Sequence, residues 1–549
     1  MWFVHDPTSL SYYYGDIEPT PGFAKQLLEQ SYPIVAIDVE TISLKERIPI
    51  GVSIALSPTI AFYFQLFPTE SQVVPWRFIK DNTITKIYHN SLFDLAALRE
   101  YEPDMENIID TNIMARLLCY KETGLFELFF LHLMEVHDVK EYIPKGGTML
   151  DVATNVTAKK CMQDAMATYK LHQLLIGSVD MDYLSTEMQV VPICVEMSYR
   201  GIAIDQQARQ EVEEELTKWS DYYYGICEGE GFNPGSPQQV AYILAKRGAY
   251  SVFTKLPFTR GWGRRSLSTA VETLEKMDDP LAQVVLKYRQ YTKLNSTYIK
   301  PWAHDERAYT RYHLDAATGR PSSTDRNMQN IPGKKSSIVN CRDILQPDSG
   351  IWTDMDWSQL ELRILAYFSQ DREMLHIYET GGDIHQYTAD FLNIDRLFAK
   401  NVNFALIYGA TDETIMETAH IRSLDRAKQL RENVFKLYPG VGDWIEQQHH
   451  EALRSYKART IFGRDLRLPT EEEESIDGIQ RKSVNYPIQG SAAEILKRGL
   501  IKLKDLDLRL QVHDELLVDG FIPDYIFKPL EEIAPFRTPV EVKYLERWE

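Results

Sequence analysis

Asp356 sits where the residue period of the chain changes. In the stretch TDMDWSQLELRILAYFSQD, from Thr353 to Asp371, Ile351, Thr353 and Met355 alternate with Trp352, Asp354 and Asp356. That is the pattern of a strand. Beyond it Leu360, Ile364, Ala366 and Tyr367 recur at helical spacing, with Ser358 and Glu361 spaced as a capping box. An acid at a strand end beside a helix N-terminus can hold a divalent metal and a phosphate. The same stretch also reads as a capped turn with surface acids. His513, Asp514 and Glu515 lie between two apolar runs in LRLQVHDELLVDGF, as at a hairpin tip. A second acid cluster there is what Asp356 needs to hold a pair of metals.

Another acid set lies near the N-terminus. The apolar run Pro33 to Ile37 leads into Asp38-Val39-Glu40, so a buried strand puts Asp38 and Glu40 on one face, suited to two metals. Asn90 and Asp94 are four apart at a helix entry, Asp110 opens the helical DTNIMARLL, and Asp164 lies in the helical CMQDAMATYKLHQLL. Singly, Asp38, Glu40, Asp94 and Asp164 each read as surface acids or caps; as a set they read as a site.

Cations and aromatics complete the inventory. Arg396, Lys400, Phe404 and Tyr408 recur every four residues, one helical stripe able to grip a triphosphate and stack a base. The stripe equally fits an amphipathic helix with a snorkelling lysine. Arg481, Asn485 and Gln489 form a polar stripe on a helical segment that contains Pro487. The polar loop from Thr318 to Pro332, TGRPSSTDRNMQNIP, suits contacts to a nucleic-acid backbone and base edges.

The elements that must position these residues belong to a large α/β chain. Its 549 residues imply roughly three or four domains. No apolar run reaches the ~18 residues of a membrane span, and the N-terminus lacks a signal-peptide pattern, so a cytoplasmic protein is expected. Five scattered cysteines without a CxxC pair argue against disulfides and structural zinc. The net charge of −19 argues against nonspecific adhesion to nucleic acid but says little about a local groove, and residues 231–300 hold eleven Lys and Arg against four acids. That block, ending in a helix with Lys287, Arg289 and Lys293, suits a clamp on a phosphate backbone or a solvated basic face. The chain changes character near residues 177–182, where a second domain is expected to begin.

In this order the motifs resemble the family A DNA polymerases, the group of bacterial DNA polymerase I. DWSQLELR is similar to the first palm motif, RLFAKNVNFALIYG to the fingers helix and QVHDELLVD to the second palm motif, and TGRPSSTDRNMQNIP and NYPIQGSAAE match two further blocks. Residues 1–180 resemble the 3′-5′ exonuclease domain of that family through DVE, NSLFD and the helix around Asp164.

The resemblance implies an RNase H-like exonuclease fold over 1–180 and a right-hand polymerase domain over 181–549. The thumb is expected at about 230–300, the palm at about 301–370 and 486–549, and the fingers at about 371–485. It implies a template-directed polymerase joining dNTPs to a primer 3′-hydroxyl on primer-template DNA, with proofreading, or with a weak or inactive exonuclease. Two Mg²⁺ ions per site, replaceable by Mn²⁺, would be held by Asp356, Asp514 and the Trp357 carbonyl in the palm, and by Asp38, Glu40, Asp94 and Asp164 in the exonuclease. Glu515 and Lys400 join the catalytic group, and His513 and Glu515 flank the primer end. Arg396, Lys400 and His385 hold phosphates; Gln359, Glu361 and Phe404 surround the nucleotide; Tyr408 packs beside the templating position; Arg320, Asn327, Gln329, Arg481, Asn485 and Gln489 read the duplex. A monomer acting in a bacterial or phage-infected cell is expected.

Three departures stand out. Asp354 adds an acid to the face of Asp356. No 5′ nuclease segment precedes the exonuclease-like region, so removal of flaps is not expected of this chain. Lys160 stands where the exonuclease family has a tyrosine, four residues before Asp164, and Lys159 stands at the place of the histidine variant. Lys160 is expected to touch the scissile phosphate or to lie in solvent, and hydrolysis to persist at a lower rate. A single-subunit RNA polymerase, disfavoured by Glu361 and the exonuclease region, and a silent nucleic-acid-binding protein are the rival readings.

Overall fold

The computed structural model describes residues 2–6, 11–18, 23–45, 47–71, 74–101, 104–131, 143–253, 256–258, 266–333, 339–407, 409, 411–412, 415–416, 421 and 423–548. The N-terminal part is built on a seven-stranded sheet. Its order is Trp2–Asp6, Ser11–Gly15, Ile60–Gln65, Pro49–Ser57, Ile34–Thr41, Thr85–Tyr88, Ile108–Asp110. The last two strands run parallel to their neighbours and the others pair antiparallel.

The central strand Ile34–Thr41 separates two cores. Val35, Ile37 and Val39 face a large core with Leu92, Leu95 and Leu171. Ala36 faces the other way and packs with Ala55, Ala61, Ala158, Cys161 and Ala165. These small side chains let the helix Thr154–Leu175 lie close against the sheet. By strand alternation Asp38 and Glu40 share the face of Ala36, so they meet the helix that carries Lys160 and Asp164.

The helix Met181–Arg200 follows, capped by Asp180, and Gly201 ends it with φ +58. Its buried face shares one continuous core with both the N-terminal sheet and the C-terminal half of the chain. Helices Gln206–Gly229 and Pro280–Leu294 pair next, with Pro237–Lys246 beside them. Lys287, Lys293 and Lys300 are exposed there. Arg289 is not: its guanidinium donates to the carbonyls of Pro234 and Thr269, so it clasps this unit together rather than facing solvent.

The C-terminal half centres on a four-stranded antiparallel sheet ordered Leu508–Val512, Glu515–Asp519, Trp352–Trp357, Val540–Leu545. The predicted strand and hairpin form as read. The capping box does not: Gln359, at φ +54, occupies the N-cap of helix Leu360–Ser369 without a side-chain cap, and Glu361 turns instead to Arg320. Helices Ile384–Leu392, Arg396–Ile407, Leu424–Leu437 and Pro439–Ser455 pack together and join the same core, the last of them against the helix Ile476–Lys502. Among the described residues, no helix is long and apolar enough to cross a membrane.

The helix Ile476–Lys502 runs unbroken through Pro487 and packs against the sheet. A Cβ built on Gly499 would lie 2.6 Å from Trp357 Cη2, and Trp357 is fully buried. Glycine thus permits the approach that seats Trp357, the residue after Asp356. Alanine improves helix propensity by at most ~1 kcal/mol, whereas overpacking costs about 1–3 kcal/mol. Gly499→Ala is therefore expected to lower the urea-unfolding midpoint. A midpoint at or above that of the parent would mean that Trp357 yields at no cost.

Candidate active sites

The acids of the C-terminal sheet are brought together by strand register. Asp356 lies opposite Glu515 on one neighbouring strand and Glu541 on the other. The turn between Leu508–Val512 and Glu515–Asp519 presents Asp514, with His513 held at φ +53. The Trp357 amide donates to the Asp514 carbonyl at 3.2 Å, so strand and turn are tied at the acid pair. Burial, then Asp514, Glu515, Asp354 and Glu541, push Asp356 up to about 8. Burial and Glu361 push Asp514 up to about 6, against the pull of its own backbone and Arg320. Burial and Glu515 push Asp354 up to about 7, while Lys543 and Arg342 oppose the shift.

Glu515 is held by two residues that sequence reading missed. The Trp548 indole donates to its Oε1 at 2.5 Å, and Arg342 lies 3.5 Å from its Oε2. The Arg342 guanidinium stacks 4.0 Å above the Trp548 ring. Each partner lies more than thirty residues from Glu515, so no local pattern announced them.

A cavity of about 270 Å³ adjoins these acids. Arg320, Gln359, Glu361, Phe404, His513 and Asp514 line it, with Ala492, Ala493 and Leu496 of the long helix behind. Arg320 and Glu361 form an ion pair across it. The Gln359 side chain accepts from the Tyr378 hydroxyl at 3.3 Å. Asn327 accepts from Ser323 at 3.0 Å. The Gln329 amide donates to Pro321 and Gln511, which pins the polar loop to the sheet. Arg481 is exposed, and Asn485 and Gln489 are half-buried on the same helix. The Asn485 amide nitrogen is buried without a hydrogen-bond partner, a donor left for a ligand.

On the helix Arg396–Ile407, Arg396 is paired with Asp383 at 2.7 Å, and the Lys400 ammonium lies 5.7 Å above the Phe404 ring. His385 is buried; its Nδ1 lies 3.0 Å from the Asn403 amide nitrogen, and its ring stacks on Phe404 at 6.2 Å. Because Asn403 Nδ2 also donates to the Ile384 carbonyl, the amide orientation is set and His385 Nδ1 accepts. Tyr408 lies outside the described residues.

The N-terminal acids also meet. Asp94 Oδ1 accepts from the Val39 amide at 3.0 Å, which binds its helix to the strand of Asp38 and Glu40. Lys160 Nζ lies 2.5 Å from Glu40 Oε1 and 2.9 Å from Asp164 Oδ2. It therefore does not lie in solvent, contrary to one of the two expectations for it, and its ammonium is engaged by two carboxylates. Burial, then Asp164 and Glu40, hold Asp38 up at about 8 against the pull of Lys160. Burial lowers Lys160, but Glu40, Asp164 and Asp38 outweigh it and the ammonium is held charged. Asp110 caps its helix, accepting from the amides of Ser91 and Asn112. A cavity of about 380 Å³ opens here between Asp38, His89, Asp164 and His313.

Both sites fit divalent cations by donor chemistry. Asp38 Oδ2 and Asp354 Oδ1 are buried without hydrogen-bond partners, and the acids around them repel one another. Among the described residues, only Asp38, Glu40 and Cys161 bring three ligand atoms within 4.8 Å of one another. The Cys161 thiol donates to the Asp38 carbonyl at 3.4 Å and burial pushes it well up, so the oxygen donors are the ones available to a hard ion.

Comparison with known proteins agrees with this geometry. A profile described as DNA polymerase family A matches residues 203–522, and one described as 3′-5′ exonuclease matches residues 22–179. DNA polymerase I of Lactococcus lactis subsp. lactis is 33% identical over 419 residues, covering 70% of this chain and 46% of that protein. DNA polymerase I of Chloroflexus aurantiacus is 28% identical, covering 96% of this chain and 62% of that protein. The chain thus spans about half the length of the first of these relatives. A solved structure, the POL domain of Pol1 from M. smegmatis in complex with DNA primer-template and dNTP, covers 97% of this chain at a TM-score of 0.76 and 23% identity. The fold is accordingly an exonuclease-like N-terminal domain followed by a palm, fingers and thumb.

One titration follows from the site. Burial, with Arg396 and Lys400 nearby, lowers His385 to about 4 despite Asp383. Its folded value lies below its unfolded one, so the neutral ring contributes stability above the unfolded value, and that contribution is lost as pH falls from about 6.5 toward 4. Nitrogen-15 NMR of the imidazoles should find His385 still neutral at pH 5.5. A ring titrating near 6.5 would remove this account of its burial.

Proposed function

This chain belongs to DNA polymerase family A, and from that premise we propose that it is a template-directed DNA polymerase with a 3′-5′ exonuclease domain. Residues of about 230–300 act as thumb, 301–370 and 486–549 as palm, and 371–485 as fingers. The observation that carries the reading is the cavity in which Arg320, Glu361, Phe404 and His513 gather around Asp514, beside the strand of Asp356.

Asp356 and Asp514, with the Trp357 carbonyl, are the groups that hold Mg²⁺, or Mn²⁺ in its place. When bound, a metal pair supplies Lewis acidity that activates the primer 3′-hydroxyl and neutralises the triphosphate. The protein's own residues do the rest by position and charge. Glu515, fixed by Trp548 and Arg342, borders the primer end with His513. Arg396 and Lys400 supply positive charge to the phosphates, and Lys400 is the candidate proton donor to the leaving group. His385, neutral through burial, orients by hydrogen bonding rather than by charge. Phe404 and Gln359 bound the sugar and base. Arg320, Asn327, Gln329, Arg481, Asn485 and Gln489 follow the duplex beside the terminus. In the N-terminal domain Asp38, Glu40, Asp94 and Asp164 hold the metals for phosphodiester hydrolysis, with the chain acting on single-stranded 3′ ends.

Glu361 is the proposed gate against ribonucleotides. Arg320 clamps its carboxylate across the cavity, and a carboxylate held against the sugar edge there would exclude a 2′-hydroxyl sterically. In a primer-extension assay with dNTPs and NTPs, the parent should extend with dNTPs alone and Asp356→Ala with neither. Glu361→Ala should raise ribonucleotide incorporation on the order of 10- to 100-fold in single-nucleotide kinetics. Unchanged discrimination would place the gate elsewhere, and extension by Asp356→Ala would remove the proposed palm site.

Phe404 offers no hydroxyl to replace a missing 3′-hydroxyl contact. The parent should therefore disfavour dideoxynucleotides, and Phe404→Tyr should relax that preference. Equal use of ddNTPs by both forms would contradict the placement of this helix over the sugar.

A further inference from the structure

The N-terminal acid site contains its own cation. Lys160 lies one turn before Asp164 on the helix Thr154–Leu175, and its Nζ bridges Glu40 Oε1 at 2.5 Å and Asp164 Oδ2 at 2.9 Å. Hard divalent ions sit about 2.0–2.6 Å from their oxygen ligands, so the ammonium occupies the space in which such an ion would join these two carboxylates. The lysine side chain is only 21% exposed. Around it, Asp94 is engaged with the Val39 amide and Asp110 with the amides of Ser91 and Asn112, while His89 is kept neutral by burial. Asp38 Oδ2 is buried without a hydrogen-bond partner.

We propose that Lys160 is a resident counter-ion that competes with a divalent cation for Glu40 and Asp164, and thereby holds hydrolysis by this domain below the rate its four acids would otherwise support. The inference rests on the exonuclease reading of the domain. One ion can bind at Asp38 without disturbing the lysine. A second, between Glu40 and Asp164, must displace the ammonium, because two cations cannot share a gap of this size. Chemistry that needs both ions therefore waits on an outward swing of Lys160, which its four-carbon stem permits.

The test uses the full chain carrying Asp356→Ala and Asp514→Ala, so that the palm contributes no metal binding. Mn²⁺ is titrated by electron paramagnetic resonance, and thermal midpoints are taken with and without Mn²⁺. Lys160→Met should bind Mn²⁺ about tenfold more tightly than its parent. Without metal its midpoint should fall, since two buried carboxylates lose their partner, and Mn²⁺ should raise the midpoint further than in the parent. Lys160→Arg should keep the weak binding, and Lys160→Gln serves in place of the Met variant if the latter does not fold. Mg²⁺-dependent resection of a labelled single strand should quicken in Lys160→Met. Mn²⁺ affinity equal to or below that of the parent, with binding still lost on Asp38→Ala, would overturn the inference and leave the exonuclease reading standing. Absence of Asp38-dependent binding and of resection from every variant would overturn both.

Discussion

Repulsion among carboxylates is the constraint around which the palm is built. Antiparallel register sets Asp356 between Glu515 and Glu541, and the adjoining turn adds Asp514. Two like charges 4 Å apart at an effective dielectric near 20 oppose each other by about 4 kcal/mol. Such a cluster persists only on a scaffold that cannot relax it. The four-stranded sheet supplies that scaffold, and the helix Ile476–Lys502 braces it through the contact of Gly499 with Trp357. Trp548 and Arg342 fix Glu515 from the far end of the chain. Burial first, and then the repulsion left over, keep Asp356 and Asp354 well above the usual carboxylate range.

The two acid sites meet the same electrostatic problem differently. In the palm the compensating cations stand at the edge: Arg320 on Glu361, Arg342 on Glu515. On the proposed function the centre is left for metal. In the N-terminal domain Lys160 enters the centre and joins Glu40 to Asp164. A buried carboxylate pair bridged by an ammonium already has a counter-charge, whereas one left open still lacks it. That difference lies in the position of one side chain and not in the fold, since both scaffolds deliver their acids as the sequence pattern implies.

Legibility followed locality. The strand carrying Asp356, the hairpin at Asp514, the helix stopped by Gly201 and the continuous helix through Pro487 were readable because period, turn residues and apolar runs are local signals. The places of Asp356, Asp514 and Asp164 on strand, turn and helix were readable for the same reason. What escaped were contacts across long separations: Trp548 and Arg342 on Glu515, and Arg320 on Glu361. The capping box was misread because Glu361 had a stronger, charged partner than a helix amide. Lys160 shows the boundary well. Its spacing to Asp164 is the ordinary helical i, i+4 pair, but Glu40 lies on another element, and only the close packing of Ala36 against Ala158 and Ala165 brings it within reach.

The fingers helix adds a last step, from magnitude to motion. Arg396 spends its guanidinium on one oxygen of Asp383, whose other oxygen caps the helix Ile384–Leu392 through the amides of His385 and Gln386. Half of the arginine is exposed, at 51%, so the pair is worth at most about 1 kcal/mol. A triphosphate offers several anionic oxygens and forms shorter, charge-assisted bonds, so on the proposed function it takes Arg396 from Asp383 at small cost. Asp383 then still caps its helix, and the element keeps its shape while its cation changes partner.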